Sequence, residues 1–191
     1  MRVIVGLTGA TGAIYAVRLL ERLREMEVET HLVISRWGAR TLAHETPHTR
    51  EYVESLATTV YPPGDMGAAI SSGSFKTEGM IIVPCSAKTL AAIAHGFGDN
   101  LIHRAADVIL KERRRLVLAI RETPLSDIHL ENMLKLSRMG AVIVPPMPAF
   151  YTHPRTIDDI VDHTVARMLD SFGIDVPGAV RWAGEMGVGE D

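Results

Sequence analysis

Short apolar segments alternate along the chain with longer segments in which apolar residues recur every three or four positions. Residues 2–8 form an almost continuous apolar run, which predicts a buried β-strand, and residues 12–24 place Ile14, Val17 and Leu20 on one face of a helix. The same alternation continues through most of the chain. It predicts an α/β fold in which parallel strands are joined by right-handed helical crossovers.

The alternation divides the chain into strands and helices. The predicted strands are residues 2–8, 29–35, 79–84, 116–120 and 141–144. The predicted helices are residues 12–24, 37–45, 86–95, 100–112, 127–137 and 156–172, and residues 50–58 form another short amphipathic segment. Residues 61–76, which are rich in proline, glycine and serine, predict a loop that holds at most one helical turn. Because 191 residues is a usual domain length, we expect residues 1–191 to form one domain, with a C-terminal tail over about 173–191.

Composition and charge narrow the class of protein. Hydrophobic residues make up 47% and charged residues 23% of the chain, a balance typical of globular domains. The formal net charge of -3 gives no positive field of the kind that nucleic-acid-binding domains use. Cys85 is the single cysteine, so no internal disulfide forms, and no apolar run approaches the roughly 20 residues of a membrane span. We therefore expect a cytoplasmic protein that binds no nucleic acid and spans no membrane.

A glycine-rich turn lies between the first predicted strand and the first predicted helix. Residues 6–12 read GLTGATG, which spaces the glycines as G-x-x-G-x-x-G. Glycines permit a tight turn and a close approach of the backbone, and the N–H groups at a helix N-terminus attract phosphate. The spacing differs from the G-x-G-x-x-G of dinucleotide-binding turns, so it favours a mononucleotide. A turn that only packs is the alternative.

Polar side chains follow the other predicted strands as well. Ser35 ends the second strand, Ser86, Lys88 and Thr89 follow the third, and Arg121 follows the fourth. The carboxyl ends of parallel strands share one edge of a sheet, and ligands of such sheets bind outside that edge. We therefore expect a ligand site there.

Two local patterns have simpler interpretations than catalysis. Cys85, directly after a buried strand, is more typical of a small buried side chain than of a nucleophile. Residues 158–162 have the DDxxD form of the magnesium-diphosphate motif in helical isoprenoid synthases. However, Thr156 precedes them in a capping position, where acids are expected in the first helical turn. The histidines show no metal-ligand spacing, so we expect no metal site.

Taken together, segments along nearly the whole chain resemble the UbiX-type flavin prenyltransferases, a branch of the flavin-containing, cysteine-decarboxylase-like flavoproteins. In chain order these segments are residues 8–13 (TGATGA), 84–90 (PCSAKTL), 104–108 (RAADV), 110–114 (LKERR), 121–125 (RETPL), 128–134 (IHLENML) and 148–151 (PAFY), with Arg167 downstream. Their order and number make this resemblance more specific than any one turn.

The resemblance implies a three-layer αβα sandwich with a flavodoxin- or Rossmann-like parallel sheet that binds FMN. It implies that dimethylallyl monophosphate alkylates reduced FMN at N5 and C6 without a metal. The product, prenylated FMN, would then serve a partner UbiD-type decarboxylase. The resemblance also implies a large homo-oligomer, commonly a dodecamer, with sites at subunit contacts.

Individual residues receive roles from the same resemblance. The implied FMN contacts are Gly9, Ala10, Thr11, Ser35, Ser86, Ala87, Lys88, Thr89 and Arg121, although many family members have serine where Thr11 stands. The implied contacts of the dimethylallyl phosphate are Tyr151, Arg167 and Lys111, with Trp182 as an aromatic cover. The implied catalytic residues are Glu122, Glu45 and Lys111. Fixed cations and a phenol suit a departing phosphate, and a carboxylate suits proton transfer.

Two other functions remain open on the sequence. One is an FMN-dependent decarboxylase that acts directly on an aromatic acid or a cysteine-containing substrate. Residues 146–149 (PMPA) lack the P-x-M-N form of the substrate clamp in such relatives. The other is a non-catalytic FMN carrier, which would not need the second phosphate site that Lys111, Tyr151 and Arg167 imply.

Overall fold

The computed structural model describes residues 1–182 and Gly184, and a six-stranded parallel sheet lies at its centre. The strands are β1 (Arg2–Leu7), β2 (Glu29–Ile34), β3 (Thr59–Tyr61), β4 (Gly79–Cys85), β5 (Arg115–Ile120) and β6 (Val142–Ile143). The helices are α1 (Ala13–Glu25), α2 (Arg36–Glu45), α3 (Arg50–Ser55), α4 (Ala87–Ala94), α5 (Leu101–Lys111), α6 (Asp127–Arg138) and α7 (Ile157–Asp170). Within this part of the chain, no helix combines the length and the apolar character that crossing a membrane requires.

The strands lie in the order β3-β2-β1-β4-β5-β6. This is the order of doubly wound dinucleotide-binding sheets, and without the short edge strand β3 it reduces to the flavodoxin order. β1 pairs with β2 on one side and with β4 on the other. The strands before β4 are therefore added on one side of β1, and β4, β5 and β6 are added on the other side. The topology confirms the predicted sheet, and its switch point lies at the carboxyl ends of β1 and β4.

Helices cover both faces of the sheet and complete the three predicted layers. On one face, α1 and α7 pack with Val3, Val5 and Leu7 of β1. On the other face, α4 and α5 pack with Ile4. Successive side chains of a strand point to opposite faces, and here both faces are buried. This explains why the strands appear in the sequence as continuous apolar runs.

The sequence pattern does not predict strand β3. The amphipathic segment 50–58 is helical only as far as Ser55, and Thr59–Tyr61 pairs with β2. A strand of three residues is too short to show an alternation of apolar and polar positions. Its conformation is fixed by backbone hydrogen bonds to β2, which the local sequence does not reveal. The loop predicted after it is confirmed, and it contains one 3-10 turn, Ala69–Ser71. The end of the predicted tail, residue 183 and residues 185–191, lies outside the described residues.

Candidate functional site

The hydroxyl of Thr8 joins the carboxyl ends of β1 and β4. This buried hydroxyl donates a hydrogen bond to the carbonyl oxygen of Pro84 at 2.7 Å and accepts one from the N–H of Ser86 at 2.9 Å. Both partners belong to the end of β4 and the turn after it, so one side chain fixes that turn relative to the turn after β1. Buried polar groups paired in this way favour a single arrangement of their neighbours. The two turns therefore act as one unit at the sheet edge.

Three helices begin at one cavity of about 620 Å³, which we name cavity A. Their N-caps are Ser35 of α2, Ser86 of α4 and Asn100 of α5, and each cap side chain accepts an N–H bond from its own helix. Arg36 and Lys88 also line the cavity. The positive ends of three helix dipoles and two cationic side chains together favour an anion in cavity A.

Gly9 packs against Trp37, and both residues line cavity A. A Cβ atom at Gly9 would lie 2.3 Å from the Cβ atom of Trp37, well inside van der Waals contact. At Gly38, a Cβ atom would lie 2.5 Å from the carbonyl oxygen of Leu7. The end of β1 and the start of α2 therefore approach each other more closely than any larger residue permits. The glycine turn serves helix packing as well as any ligand.

Cavity B, of about 480 Å³, lies at the first turn of α1. Thr11, Gly12, Glu45 and Arg121 are among its lining residues. The Glu45 carboxylate accepts the N–H of Gly12 at 2.7 Å and that of Ala13 at 3.1 Å. Burial acts to raise the pKa of Glu45, but hydrogen bonds from the Thr11 hydroxyl and these two N–H groups outweigh it and hold the pKa below its ordinary value.

This contact changes the interpretation of the glycine turn. The sequence predicts a phosphate at the N-terminus of α1, yet the Glu45 carboxylate already accepts the N–H groups of Gly12 and Ala13. A phosphate there would lie against this carboxylate, and like charges repel. Cavity A, with its three helix N-termini, is the better anion site of the two. The turn runs between them, with Gly9 lining cavity A and Thr11 lining cavity B.

Cavity C, of about 370 Å³, lies between α7 and the segment that follows it. Tyr151, Arg167 and Trp182 line it together, as the resemblance implies, along with His163 and Arg181. The Tyr151 ring makes edge contacts with the rings of His163 and Trp182, each with 5.7 Å between centroids. Its hydroxyl lies 3.3 Å from Nε2 of His163. These contacts orient the phenol in the cavity.

Asp170 orients two guanidinium groups at cavity C. Its carboxylate accepts a hydrogen bond from Arg167 at 2.7 Å and another from Arg181 at 2.8 Å. The hydrogen bond from Arg181 is the main reason why the pKa of Asp170 lies below its ordinary value, and Arg167 lowers it further. Burial acts in the opposite direction but is the weaker effect. Cavity C therefore presents a phenol and two oriented cations, a combination that suits an anion.

Glu122 lies at the carboxyl ends of the strands, whereas Lys111 lies at their amino ends. Glu122 is exposed directly after β5, next to Arg121 of cavity B, and its carboxylate accepts the N–H of Thr123 at 3.1 Å. Lys111 ends α5, which runs antiparallel to the strands and leads into the amino end of β5. There its ammonium group pairs with Glu112. One copy of the chain therefore does not bring Lys111 to the carboxyl edge, where the sequence prediction puts it.

The structure supports the simpler interpretations of two local patterns. Cys85 is fully buried, and burial raises the pKa of its thiol far above the ordinary value, so the reactive thiolate is disfavoured. Thr156 and Asp159 form the capping box of α7, as the sequence predicts. Asp162 pairs with Arg18 of α1 at 2.6 Å. Acids of the DDxxD pattern thus serve the start of α7 and its contact with α1.

Several residues at the cavities carry no signal of their own in the sequence. Asp99 and His103 line cavity A beside Lys88, and His163 lines cavity C beside Tyr151. A histidine on an amphipathic helix has no distinguishing pattern, because the packing of α4, α5 and α7 decides what it lies beside. For Thr8, the only feature of the sequence that indicates a role in the site is its position within the glycine-rich turn, residues 6–12.

Comparison with known proteins agrees with this geometry. A family model described as Flavoprotein matches residues 1–169. A probable UbiX-like flavin prenyltransferase from Streptomyces sp. (strain D7) is 62% identical over 185 residues, which cover 96% of this chain and 92% of that protein. A dodecameric FMN-dependent UbiX-like decarboxylase from Escherichia coli O157:H7 superposes with a TM-score of 0.95 at 61% identity, over 96% of this chain and 100% of that one. AnUbiX, in complex with FMN and dimethylallyl pyrophosphate, gives a TM-score of 0.96 at 55% identity over 97% and 98% of the two chains. The chain is a member of the UbiX-type flavin prenyltransferases within the flavoprotein family.

Proposed function

We propose that this chain is a flavin prenyltransferase that joins the dimethylallyl group of dimethylallyl monophosphate to N5 and C6 of reduced FMN. The observation that carries the proposal is the presence of two separate anion sites, cavity A at three helix N-termini and cavity C with its phenol and paired arginines. A carrier or a direct decarboxylase would need the first site but not the second. The Streptomyces relative, a probable flavin prenyltransferase, and the FMN and dimethylallyl pyrophosphate bound to AnUbiX support the same activity.

Cavity A supports the FMN part of the proposal. Its volume of about 620 Å³ lies within the range of small-molecule sites, and its donors suit a phosphate monoester. Residues proposed to hold the phosphate are Ser35, Ser86, Ala87, Lys88 and Thr89. From there the ring system would follow Gly9, Ala10 and Thr11 toward Arg121 in cavity B. When bound in its reduced form, FMN supplies the electron-rich N5 and C6 positions.

Cavity C supports the prenyl phosphate part. Tyr151 and Arg167 would bind the phosphate and stabilise the negative charge that grows on it as the allylic C–O bond breaks. This stabilisation matters because monophosphate is a poorer leaving group than diphosphate. Trp182, in edge contact with Tyr151, would cover the site and attract the allylic cation through its ring face.

The two acids differ in their environment, and this supports a division of roles. Glu122 is exposed beside Arg121, with room to move a proton at the phosphate or at the flavin. Glu45 is bonded to the first turn of α1, which holds it charged in cavity B. We assign proton transfer to Glu122. To Glu45 we assign a fixed negative charge that holds the first turn of α1 in place beside cavity B.

Assembly of several copies completes the proposed site. Among the described residues, cavity C shares no lining residue with cavities A and B, and Lys111 lies at the opposite edge of the sheet. A neighbouring copy that brings Lys111 and cavity C to cavity B resolves both facts. The dodecameric state of the Escherichia coli relative and the exposed apolar residues Ile128, Leu130 and Leu134 of α6 support a homo-dodecamer. We propose that it acts in the cytoplasm and that its product serves a UbiD-type decarboxylase.

Mass spectrometry of the flavin tests the proposal directly. The purified protein is mixed anaerobically with reduced FMN and dimethylallyl monophosphate, without added metal. The flavin is then extracted, and its molecular mass is measured. A gain of one five-carbon unit is the expected result. Unchanged FMN, with flavin still bound to the protein by absorbance, would overturn the prenyltransferase activity and favour a carrier or a direct decarboxylase. A Glu122→Gln variant that prenylates at the normal rate would remove Glu122 from the mechanism.

A further inference from the structure

Cavity A contains a carboxylate, which is unexpected in a site for phosphate. Asp99 lines the cavity together with Lys88 and His103. Its Oδ1 lies 2.6 Å from Nδ1 of His103, and its Oδ2 lies 3.9 Å from Nζ of Lys88. The side chain of Asp99 is 37% exposed, whereas that of His103 is only 3% exposed. A phosphate that enters cavity A therefore meets a negative side chain bonded to a buried imidazole.

The His103 ring is placed between two acceptors. One is the Asp99 carboxylate, and the other is the backbone of Phe97. Burial lowers the pKa of His103 and the charge of Lys88 lowers it further, and the attraction of Asp99 and the bond to Phe97 do not cancel this. These effects favour the neutral ring, which has one N–H, whereas an imidazolium has two. The amide nitrogen of Asn100 also lies close to the ring, 3.2 Å from Nδ1 and 3.4 Å from Nε2.

Charged groups from three helices line the two cavities beside this imidazole. Lys88 of α4 and Asp99 before α5 lie closest, and Arg36 of α2 lines the same cavity. Behind the ring, Arg104 and Asp107 of α5 line a smaller cavity that His103 also borders. These two residues pair with each other at 2.7 Å, so they largely cancel. The sign of the field in cavity A is thus decided by Asp99, Lys88, Arg36 and whatever anion binds.

We propose that His103 takes up a proton from solvent when the phosphate of FMN enters cavity A, and that the resulting imidazolium neutralises Asp99 beside it. The inference rests on the proposed function only in placing the FMN phosphate in cavity A. A phosphate monoester carries a charge of about -1.5 to -2 at pH 7, which favours the charged form of a nearby imidazole. It also disfavours the nearby Asp99 carboxylate, whose other cation, Lys88, lies 3.9 Å away. Protonation of His103 answers both effects and gives each ring nitrogen a donor role.

This step links FMN affinity to pH. The complex holds more protons than the free protein, so affinity falls as the pH rises between the pKa of His103 in the free protein and its higher pKa in the complex. For one proton, the limit is about a tenfold loss of affinity for each pH unit. Riboflavin lacks the phosphate, so its binding takes up no proton.

Isothermal titration calorimetry in buffers of different ionisation enthalpy counts the protons taken up. The full chain is titrated with FMN and with riboflavin, and His103→Gln is compared with His95→Gln. His95 is a matched control because its ring bonds to Asn132, on α6 rather than in cavity A. We expect proton uptake with FMN, but not with riboflavin, for the wild type and His95→Gln. His103→Gln should take up fewer protons than the wild type when it binds FMN, and its affinity should follow only the ionisation of the phosphate itself.

Uptake in His103→Gln equal to that of the wild type would overturn the inference, as would equal uptake with riboflavin or no uptake at all. If His103→Gln does not fold, NMR of the ¹⁵N-histidine-labelled wild type decides: His103 must become an imidazolium when FMN binds, and a ring that stays neutral overturns the inference. FMN that fails to bind the wild type overturns both proposals. Proton uptake at His103 without prenylation confirms this inference and overturns only the proposed activity.

Discussion

The carboxylate of Glu45, the last residue of α2, accepts the N–H of Gly12 at 2.7 Å and so caps the first turn of α1. The N-cap of α1 is glycine, which has no side chain to do this itself. An acid at a helix N-terminus is stabilised both by the free N–H groups and by the helix dipole. A tertiary contact therefore supplies the cap that the local sequence of α1 lacks.

Replacing Glu45 with glutamine should lower stability in a pH-dependent way. The pKa of Glu45 is lowered in the folded chain, so its charge stabilises the fold above the ordinary glutamate pKa of about 4.3, and this contribution is lost as the pH falls through the lower folded value. We expect the wild type to have a higher Tm than Glu45→Gln at neutral pH and the difference to shrink below about pH 4. Circular dichroism melts measure this, with Glu131→Gln on exposed α6 as the control. A Tm difference that is independent of pH would contradict the role of the charge.

The close contact between Gly9 and Trp37 predicts a strong effect of one methyl group. Gly9→Ala puts a Cβ atom 2.3 Å from the Trp37 Cβ, and overpacking of this kind costs about 1–3 kcal/mol. Gly67→Ala is a matched control, because the nearest atom to a Cβ there is Oδ1 of Asp65 at 3.5 Å, an ordinary van der Waals contact, and Gly67 does not line cavity A. Urea unfolding should show the loss for Gly9→Ala alone, together with weaker FMN binding by absorbance. Equal stability of the two variants would disprove the packing argument.

Removing the Thr8 hydroxyl should separate the turns after β1 and β4. Thr8→Val keeps the shape but leaves the N–H of Ser86 without its acceptor, at a cost of about 1–3 kcal/mol. Thr8→Ser retains the hydroxyl and should stay within about 1 kcal/mol of the wild type. Chemical unfolding and FMN titration of both variants are the measurements. The prediction fails if Thr8→Val is as stable as Thr8→Ser.

Loss of the phenol in cavity C should affect the prenyl substrate and not the flavin. In the proposed site, Tyr151→Phe removes one hydrogen bond to a charged phosphate, a loss of roughly 1.5–3 kcal/mol. This corresponds to about a tenfold to hundredfold fall in kcat/KM for dimethylallyl monophosphate. The Kd for FMN should not change. Tyr52→Phe is the control, since its hydroxyl bonds to Glu21 on α1 instead. A parallel loss of FMN affinity in Tyr151→Phe would argue that the phenol belongs to the flavin site.

A mixing experiment tests whether Lys111 acts on a neighbouring copy. Lys111→Ala and Glu122→Gln should each prenylate poorly, because each lacks one group of the proposed site. If Lys111 of one copy serves Glu122 of another, assemblies formed from both variants contain some sites with both residues intact. Activity should then return in part after the variants are dissociated and reassembled together. Reassembly that restores no activity would contradict a site shared between copies.

The sequence predicts the layers and the sheet edge of the site because these depend on local pattern. Apolar runs at β1 and β4, for example, lie in buried strands as expected. Contacts set by tertiary packing are not predictable in this way. The Glu45 carboxylate reaches Gly12 across 33 positions, and Lys111 lies at the far edge because α5 runs antiparallel to the strands. Asp99 and His103 can be recognised as residues of cavity A only from the structure, which shows that α5 begins at the same cavity as α4.

The sheet ends at both sides in very short strands, three residues in β3 and two in β6. Such edges offer few free backbone N–H and C=O groups, so a second chain gains little by adding a strand to them. Growth of the protein into a larger assembly by sheet extension is therefore disfavoured, as is the uncontrolled aggregation that long open edges invite. Copies of this chain have to meet through side chains on helices and loops, where shape rather than backbone pairing decides the geometry, and a closed particle of defined size becomes possible.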